Sequence, residues 1–132
     1  MYYQGPSPDE ITLVDAAYHM GFAFIGKTSN KLQMNVTTDG KQQVAKEVTK
    51  INVFEFSSAR KRNTLILEDN GVYKMFVKGA DNVIKERLDM KIAQPYLENA
   101  DKKLTEFSVV GLRTLLIGMK IMSKAEVDKF TS

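Results

Sequence analysis

The sequence contains no cysteine and one histidine in 132 residues. Without cysteine there is no disulfide scaffold, no thiol nucleophile and no Cys-built zinc site, and His19 alone cannot make a histidine cluster. Metal catalysis through nitrogen or sulfur ligands is therefore excluded. No apolar run approaches the roughly 20 residues needed to cross a bilayer. The opening Met1-Tyr2-Tyr3-Gln4-Gly5 lacks the basic start and apolar stretch of a signal peptide. Both features predict a soluble, cytosolic chain. Neither sign of charge dominates: 19 Lys and Arg against 16 Asp and Glu give +3, well short of a dedicated nucleic-acid binder. The sequence has no internal repeat, low-complexity tract or linker. It also lacks a Gly-x-x-x-x-Gly-Lys-Ser/Thr loop and a Gly-x-Gly-x-x-Gly turn, so no self-contained catalytic constellation can be assembled from it.

What is there is an ordinary globular composition, 43% hydrophobic and 27% charged, enough for one core in one domain over residues 1–132. Ser7-Pro8-Asp9-Glu10 reads as a helix start, with Ser7 as cap, Pro8 at the first helical position and Glu10 completing a capping box. Ile11, Val14, Ala17 and Tyr18 continue that helix at 3.6-residue spacing as far as Met20, where Gly21 stops it. Strands are predicted at Phe22–Ile25 and Leu32–Val36, followed by turn-forming stretches such as Thr37-Thr38-Asp39-Gly40. Three more strands, Val48–Phe56, Asn63–Glu68 and Val72–Val77, are rich in β-branched and aromatic residues, and Asp69-Asn70-Gly71 supplies a hairpin loop. Asp81 is read as the cap of a short helix carrying Val83, Ile84 and Leu88, and Pro95 as the start of a longer one that Gly111 ends. Arg113–Ile121 reads as a returning strand, and Ser123-Lys124-Ala125-Glu126 repeats the capping-box signal. The fold class is α+β, an antiparallel sheet with helices packed on it.

Asp9 and Glu10 are adjacent carboxylates that diverge on a helix, a poor pair for acid and base work on one substrate. Phe56 with Arg60-Lys61-Arg62 places an aromatic face and three cations within one strand end and one turn. That suits a nucleotide, whose base gains roughly 1 to 3 kcal/mol by stacking and whose phosphates need cations. The alternative is a core phenylalanine followed by a solvated basic loop. Lys78-Gly79-Ala80-Asp81 sets a lysine at a strand end, where the glycine allows close approach of a ligand; the alternative is a plain strand-to-helix turn. Gly111-Leu112-Arg113-Thr114 puts Arg113 just past a helix end, to pair with a carboxylate or to reach a phosphate.

Taken in order, these segments resemble the nucleotide-binding domain of the type IV P-type ATPases, the phospholipid flippases. The matching stretches are Ser7-Pro8-Asp9-Glu10, Gly21-Phe22-Ala23-Phe24, Asn52 through Arg62, Lys78-Gly79-Ala80-Asp81 with Val83-Ile84 and Glu86-Arg87-Leu88, and Gly111-Leu112-Arg113-Thr114-Leu115. The Lys-Gly-Ala and Gly-Leu-Arg elements are shared across P-type ATPases. The Ser-Pro-Asp-Glu start and the Ser-Ala-Arg-Lys-Arg turn belong to the lipid-transporting branch. The resemblance implies that Phe56 stacks the adenine, Lys78 with Gly79 lines the adenine pocket, Arg113 approaches the phosphates, Lys61 lies near the triphosphate, and Glu10 bounds the adenine side. No catalytic or metal-binding residue is implied within this stretch.

The chain departs from the family pattern at Asn63-Thr64, where Met-Ser usually follows the basic turn, and at Gly5-Pro6, where small polar residues are usual. It also lacks the Asp-Lys-Thr-Gly-Thr phosphorylation motif, the Thr-Gly-Glu actuator loop and every membrane helix. The resemblance thus implies a single domain excised from a larger membrane ATPase, a cytosolic part of an integral membrane protein. Its partners would be ATP and the phosphorylation and actuator domains of the same parent chain. The membrane would be met only through the parent's transmembrane region, nucleic acid would be no partner, and the fragment would be monomeric. Mg²⁺ would be held mainly by the absent phosphorylation domain, so the fragment binds ATP without hydrolysing it. Readings outside this one are a single-stranded nucleic-acid binder using Phe54, Phe56 and the basic turn, a protein-interaction module pairing through a sheet edge, and the corresponding domain of an ion-pumping P-type ATPase.

Overall fold

The computed structural model describes residues 8–37 and 42–131. The elements run α1 (Pro8–His19), β1 (Phe22–Thr28), β2 (Lys31–Thr37), β3 (Gln43–Phe54), β4 (Arg62–Asp69), β5 (Val72–Gly79), α2 (Asp81–Lys85), α3 (Met90–Val109), β6 (Leu116–Met122) and α4 (Lys124–Thr131). The strands form one six-stranded sheet in sequential order, β1 to β6. The pairs β1–β2, β2–β3 and β5–β6 are antiparallel, which makes the protein α+β as expected. Two compact units emerge, one running to Ile51 and taking in Leu67–Gly71, the other holding Asn52–Ile66 and the chain from Val72 onward.

In the first unit, Gly21 ends α1 with φ +100, and a Cβ there would lie 2.5 Å from the Thr37 carbonyl oxygen. Only glycine allows this turn. Ser7, the proposed cap of α1, lies outside the described residues, as do Gly5, Pro6 and the Thr38-Asp39-Gly40 turn. β1 runs three residues past the predicted Ile25, because a register shift between Phe24 and Gly26 lets the pairing resume through Thr28. β3 begins five residues before the predicted Val48, at Gln43. Its charged start is held by cross-strand contacts: Glu47 lies 3.2 Å from Lys31, and Gln33 donates to Glu47 at 3.2 Å. Ala23, Val36, Val48 and Leu67 are buried in this unit.

The buried residues of the second unit are Thr64, Ile66, Ile84, Met122 and Val127. Asn70 (φ 50) and Gly71 (φ 82) both have positive φ between β4 and β5, the Asn-Gly signature of a type I′ hairpin turn. Two helix starts differ from expectation. Asp81 is not the cap of α2: Ala80 is, with extended backbone and no side-chain cap bond, and Asp81 is already helical. There its carboxylate still favours the positive end of the helix dipole. Pro95 does not open α3. Asp89 caps it six residues earlier, accepting from the Lys91 amide at 3.0 Å, and Pro95 lies inside. α3 ends as predicted: Gly111 (φ 82) follows, with its amide bonded to the Ser108 carbonyl and Leu112 to that of Phe107, both at 3.0 Å. This crossed pair is a Schellman motif.

α4 is tied down by a reciprocal capping box. The Ser123 amide donates to Glu126 Oε1 and the Glu126 amide to Ser123 Oγ, each at 3.2 Å, and Lys120 Nζ pairs with Glu126 Oε2. Those bonds, the Lys120 contact first, hold the Glu126 carboxyl below its ordinary value of 4.5. A carboxylate with a lowered folded value contributes stability that is full above the ordinary value and is lost as pH falls through the lowered one. Urea unfolding of Glu126→Gln is therefore expected to show a shallower loss of stability below about pH 4.5 than the parent. Ser123→Ala, which removes the cap, is expected to cost about 1 kcal/mol at neutral pH.

Candidate functional site

The segment between β3 and β4 is organised by one side chain. The Arg60 guanidinium donates to the carbonyls of Phe54 (3.0 Å) and Glu55 (3.1 Å) and to the Thr64 hydroxyl (2.9 Å). It also lies over the Phe54 ring, 5.5 Å from its centroid. By occupying two consecutive carbonyls that a strand would offer to its ladder, Arg60 ends β3 at Phe54. Phe56 thus stands in the connection, where the sequence pattern predicts strand. The residue is 64% exposed, so the core reading of Phe56 does not hold.

The basic triplet is likewise not a uniform solvated loop. Arg60 and Arg62 are half-buried and only Lys61 is exposed. The Arg60 amide donates to Ser57 Oγ at 3.1 Å, the Lys61 amide to the Ser57 carbonyl at 2.7 Å, and the Arg62 guanidinium to the Arg60 carbonyl at 2.8 Å. Lys61 takes φ 55, a left-handed conformation uncommon for a residue with a side chain. Thr64, one of the two departures after the triplet, is buried and serves as an acceptor for Arg60.

Gly79 brings the second motif to this turn. A Cβ at position 79 would stand 2.8 Å from the Lys61 carbonyl oxygen and 3.2 Å from Arg62 Cβ. The end of β5 therefore passes directly against the Lys61-Arg62 backbone, an approach open only to glycine. Lys78 is half-buried and pairs with Ile117, while Gly79 pairs with Leu116, the first residue of β6. Arg113 is exposed and precedes Leu116 by three residues, about 10 Å of chain at most. Lys61, Lys78, Gly79 and Arg113 are thus brought to one end of the β5–β6 ladder, with Phe56 immediately before the turn that Lys61 closes. Glu10 is half-buried in the first turn of α1, in the first unit, whereas the other five belong to the second.

A cleft of about 960 Å³ lies in the second unit, lined by Met75 and Val77 of β5 among others. It contains none of Phe56, Lys61, Lys78, Gly79 or Arg113. Side chains alternate along a strand, so Lys78 projects from the face opposite Met75 and Val77. Sequence reasoning took Arg60 as one cation of three and missed its part in building the turn. The available signal was Thr64, a hydroxyl within an apolar strand that needs a partner when buried.

Gly79→Ala is expected to cost about 1 to 3 kcal/mol in urea unfolding, since the Lys61 carbonyl is backbone and cannot simply rotate away. Amide shifts at Lys61 and Arg62 should report the displacement. Arg60→Lys keeps the charge but loses the planar fork that reaches three oxygens. A loss of about 1 to 3 kcal/mol is expected, with disturbed shifts at Glu55 and Phe56.

Comparison with known proteins bears on this arrangement as a whole. The family model described as "P-type ATPase, cytoplasmic domain N" matches residues 5–132. The chain is 37% identical over 98% of its length to the phospholipid-transporting ATPase DRS2 of Saccharomyces cerevisiae, of which it covers 9%. It is 35% identical over 98% of its length to the probable phospholipid-transporting ATPase 7 of Arabidopsis thaliana, covering 10% of it. For the phospholipid-transporting ATPase C887.12 of Schizosaccharomyces pombe the identity is 33% over 98% of the chain and 10% of the relative. The chain spans about a tenth of the length of these curated relatives. Because the family match takes in both the Arg60–Gly79 turn and the Gly111-Leu112-Arg113 segment, the chain belongs to the cytoplasmic N domain family of the P-type ATPases, with phospholipid-transporting ATPases among its relatives.

Proposed function

We propose that this chain is a single nucleotide-binding domain of a phospholipid-translocating P-type ATPase. It binds ATP by the adenine end and presents the γ-phosphate to an aspartate on a separate phosphorylation domain. The observation that carries this reading is the solvent-exposed Phe56 ring, set just before a turn that is locked against the glycine of Lys78-Gly79. An exposed ring at a fixed place offers a stacking face at little ordering cost. Lys61, Lys78 and Arg113 gather positive charge at the same end of the sheet, the donor set a triphosphate requires. Lys78 and Gly79 line the base, and Lys61 and Arg113 take the phosphates.

The bound nucleotide supplies the phosphoryl group, and this chain's residues hold and orient it. Their contribution is proximity, which turns an encounter between two reactants into a step within one assembly. Mg²⁺ is held mainly by the phosphorylation domain, with the actuator domain and the transmembrane region completing the parent enzyme. Alone, this chain binds ATP and leaves it intact. One stacked ring and a few exposed cations must offset the entropy of ordering a flexible triphosphate, which points to an affinity on the order of high micromolar to millimolar.

An amide chemical-shift titration with ATP and GTP tests the reading. Saturable shifts around Phe56, Lys61, Lys78 and Arg113 are expected, larger for ATP. Phe56→Ala should weaken binding roughly tenfold, the scale of one stacked base. Lys61→Gly is the cleaner cation test, because glycine accepts the positive φ at this position and keeps the turn. A folded chain without localised shifts at several-fold the expected dissociation constant would remove nucleotide binding from its functions.

A further inference from the structure

The cleft that the nucleotide residues leave untouched has a wall chemistry of its own. Its volume of about 960 Å³ is in the range that takes a small organic ligand. Met75 and Val77 of β5, Ile84 of α2, and Leu88, Ile92 and Met119 around them make most of the lining apolar. At Gly118 the sheet comes close to the helical side, where a Cβ would meet Ile84 and Leu88 at 3.7 Å. Arg60, Arg62 and Arg87 stand in the same lining.

Among the described residues, neither Arg60 nor Arg62 is paired with an acid, and Arg87 is paired with its chain neighbour Glu86. Arg60 gives its bonds to two carbonyls and the Thr64 hydroxyl, Arg62 gives one to the Arg60 carbonyl, and Arg87 gives one to the Val83 carbonyl at 2.8 Å. Glu86 lies 3.6 Å from Arg87, on the chain next to it. Among the described residues of the lining, the carboxylate is Asp89, engaged as the cap of α3, and a further cation, Lys120, is paired with Glu126. A guanidinium carries five N–H donors, so beyond these contacts most of those on Arg62 and Arg87 have no acceptor among the described residues. Burial, and after it the charges of Arg87 and Arg60, makes the Arg62 guanidinium easier to deprotonate than usual. An anion set among the three would relieve that crowding.

We propose that this cleft is a second binding site, for a small amphipathic anion: one carboxylate or phosphate head held by Arg62 and Arg87 beside Arg60, and an apolar body lying along Val77, Ile84 and Leu88. The head satisfies donors that the protein leaves over, and the body removes apolar wall from water. Neither half suffices alone, since a bare anion gains nothing from the walls and a neutral chain leaves the donors unmet. The site is independent of the adenine reading, because none of the nucleotide residues of the second unit lines it.

Decanoate, decanol and inorganic phosphate separate the contributions, each titrated below any aggregating concentration into the whole 132-residue chain while methyl shifts are followed. Decanoate is expected to give saturable shifts at Ile84, Leu88 and Met119, with decanol weaker by about tenfold or more, the scale of one charge-assisted bond. Arg87→Gln, on a half-exposed side chain whose loss should not unfold the domain, is expected to weaken decanoate while leaving decanol unchanged. Equal binding of decanoate and decanol overturns the proposal, as do decanoate shifts outside the cleft, no shifts at all, or an Arg87→Gln variant that binds decanoate as the parent does. Phosphate alone matching decanoate would also overturn it, in favour of a bare anion site. ATP displacing decanoate from the same methyls would show one site where two are proposed.

Discussion

The Lys61 carbonyl and the backbone at Gly79 approach so closely that a single added carbon would stand 2.8 Å from the oxygen. Much of the proposed site in the second unit depends on that contact. It fixes the turn that carries Lys61 against the strand that carries Lys78, and the β5–β6 pairing of Gly79 with Leu116 then brings in the segment bearing Arg113. Arg60 secures the other side of the turn by spending its guanidinium on the Phe54 and Glu55 carbonyls and the Thr64 hydroxyl. Such an arginine is structural through hydrogen bonding more than through charge, which is why lysine is a poor substitute. Phe56 is exposed as a consequence, since the strand that would have placed it in a ladder has already ended.

The helices support this end in different ways. α2 carries its one buried residue, Ile84, to the close approach at Gly118, and Lys85 pairs with Asp101 to join α2 to α3. α4 returns to β3, where the Phe130 carbonyl accepts from Asn52 at 3.0 Å and its ring meets Phe54 edge to face, 6.1 Å between centroids. Phe54 is thus held between the α4 ring and the Arg60 guanidinium. A nucleotide site built on such a frame would have its aromatic loop anchored at the root and open at the tip, ready for a flat base. The cleft against α2 and α3 uses the opposite face of β5, so the two proposed ligands would not meet.

The parts of this structure that could be read from sequence are those fixed by neighbours in the chain. Asn70-Gly71, Gly111 and Ser123-x-x-Glu126 each specify a backbone geometry within a few residues, and each was found as expected. Helix starts were harder because several residues compete for the same role. Asp81 was read as a cap although Ala80 holds that place, and Pro95 drew attention from Asp89, whose carboxylate starts α3 earlier. The charged beginning of β3 falls before the expected start at Val48 because its stabilisation comes from Lys31 and Gln33 across the sheet. The end of β3 was misplaced for a similar reason, as it is set by Arg60, a residue beyond the strand. The candidate site residues were identified by resemblance to a family. Composition and periodicity alone left Phe56, Lys78 and Arg113 each with a plain structural alternative.

Adenine stacked on Phe56 is the contact on which the functional reading turns, and intermolecular proton–proton Overhauser effects between ATP and the chain measure it directly. Cross-peaks from the adenine H2 and H8 protons to the Phe56 ring, absent in Phe56→Leu while that variant remains folded, are the expected result. Cross-peaks from bound ATP that go instead to Ile84, Leu88 or Met119, with none to Phe56, would contradict it and place the nucleotide in the other cleft.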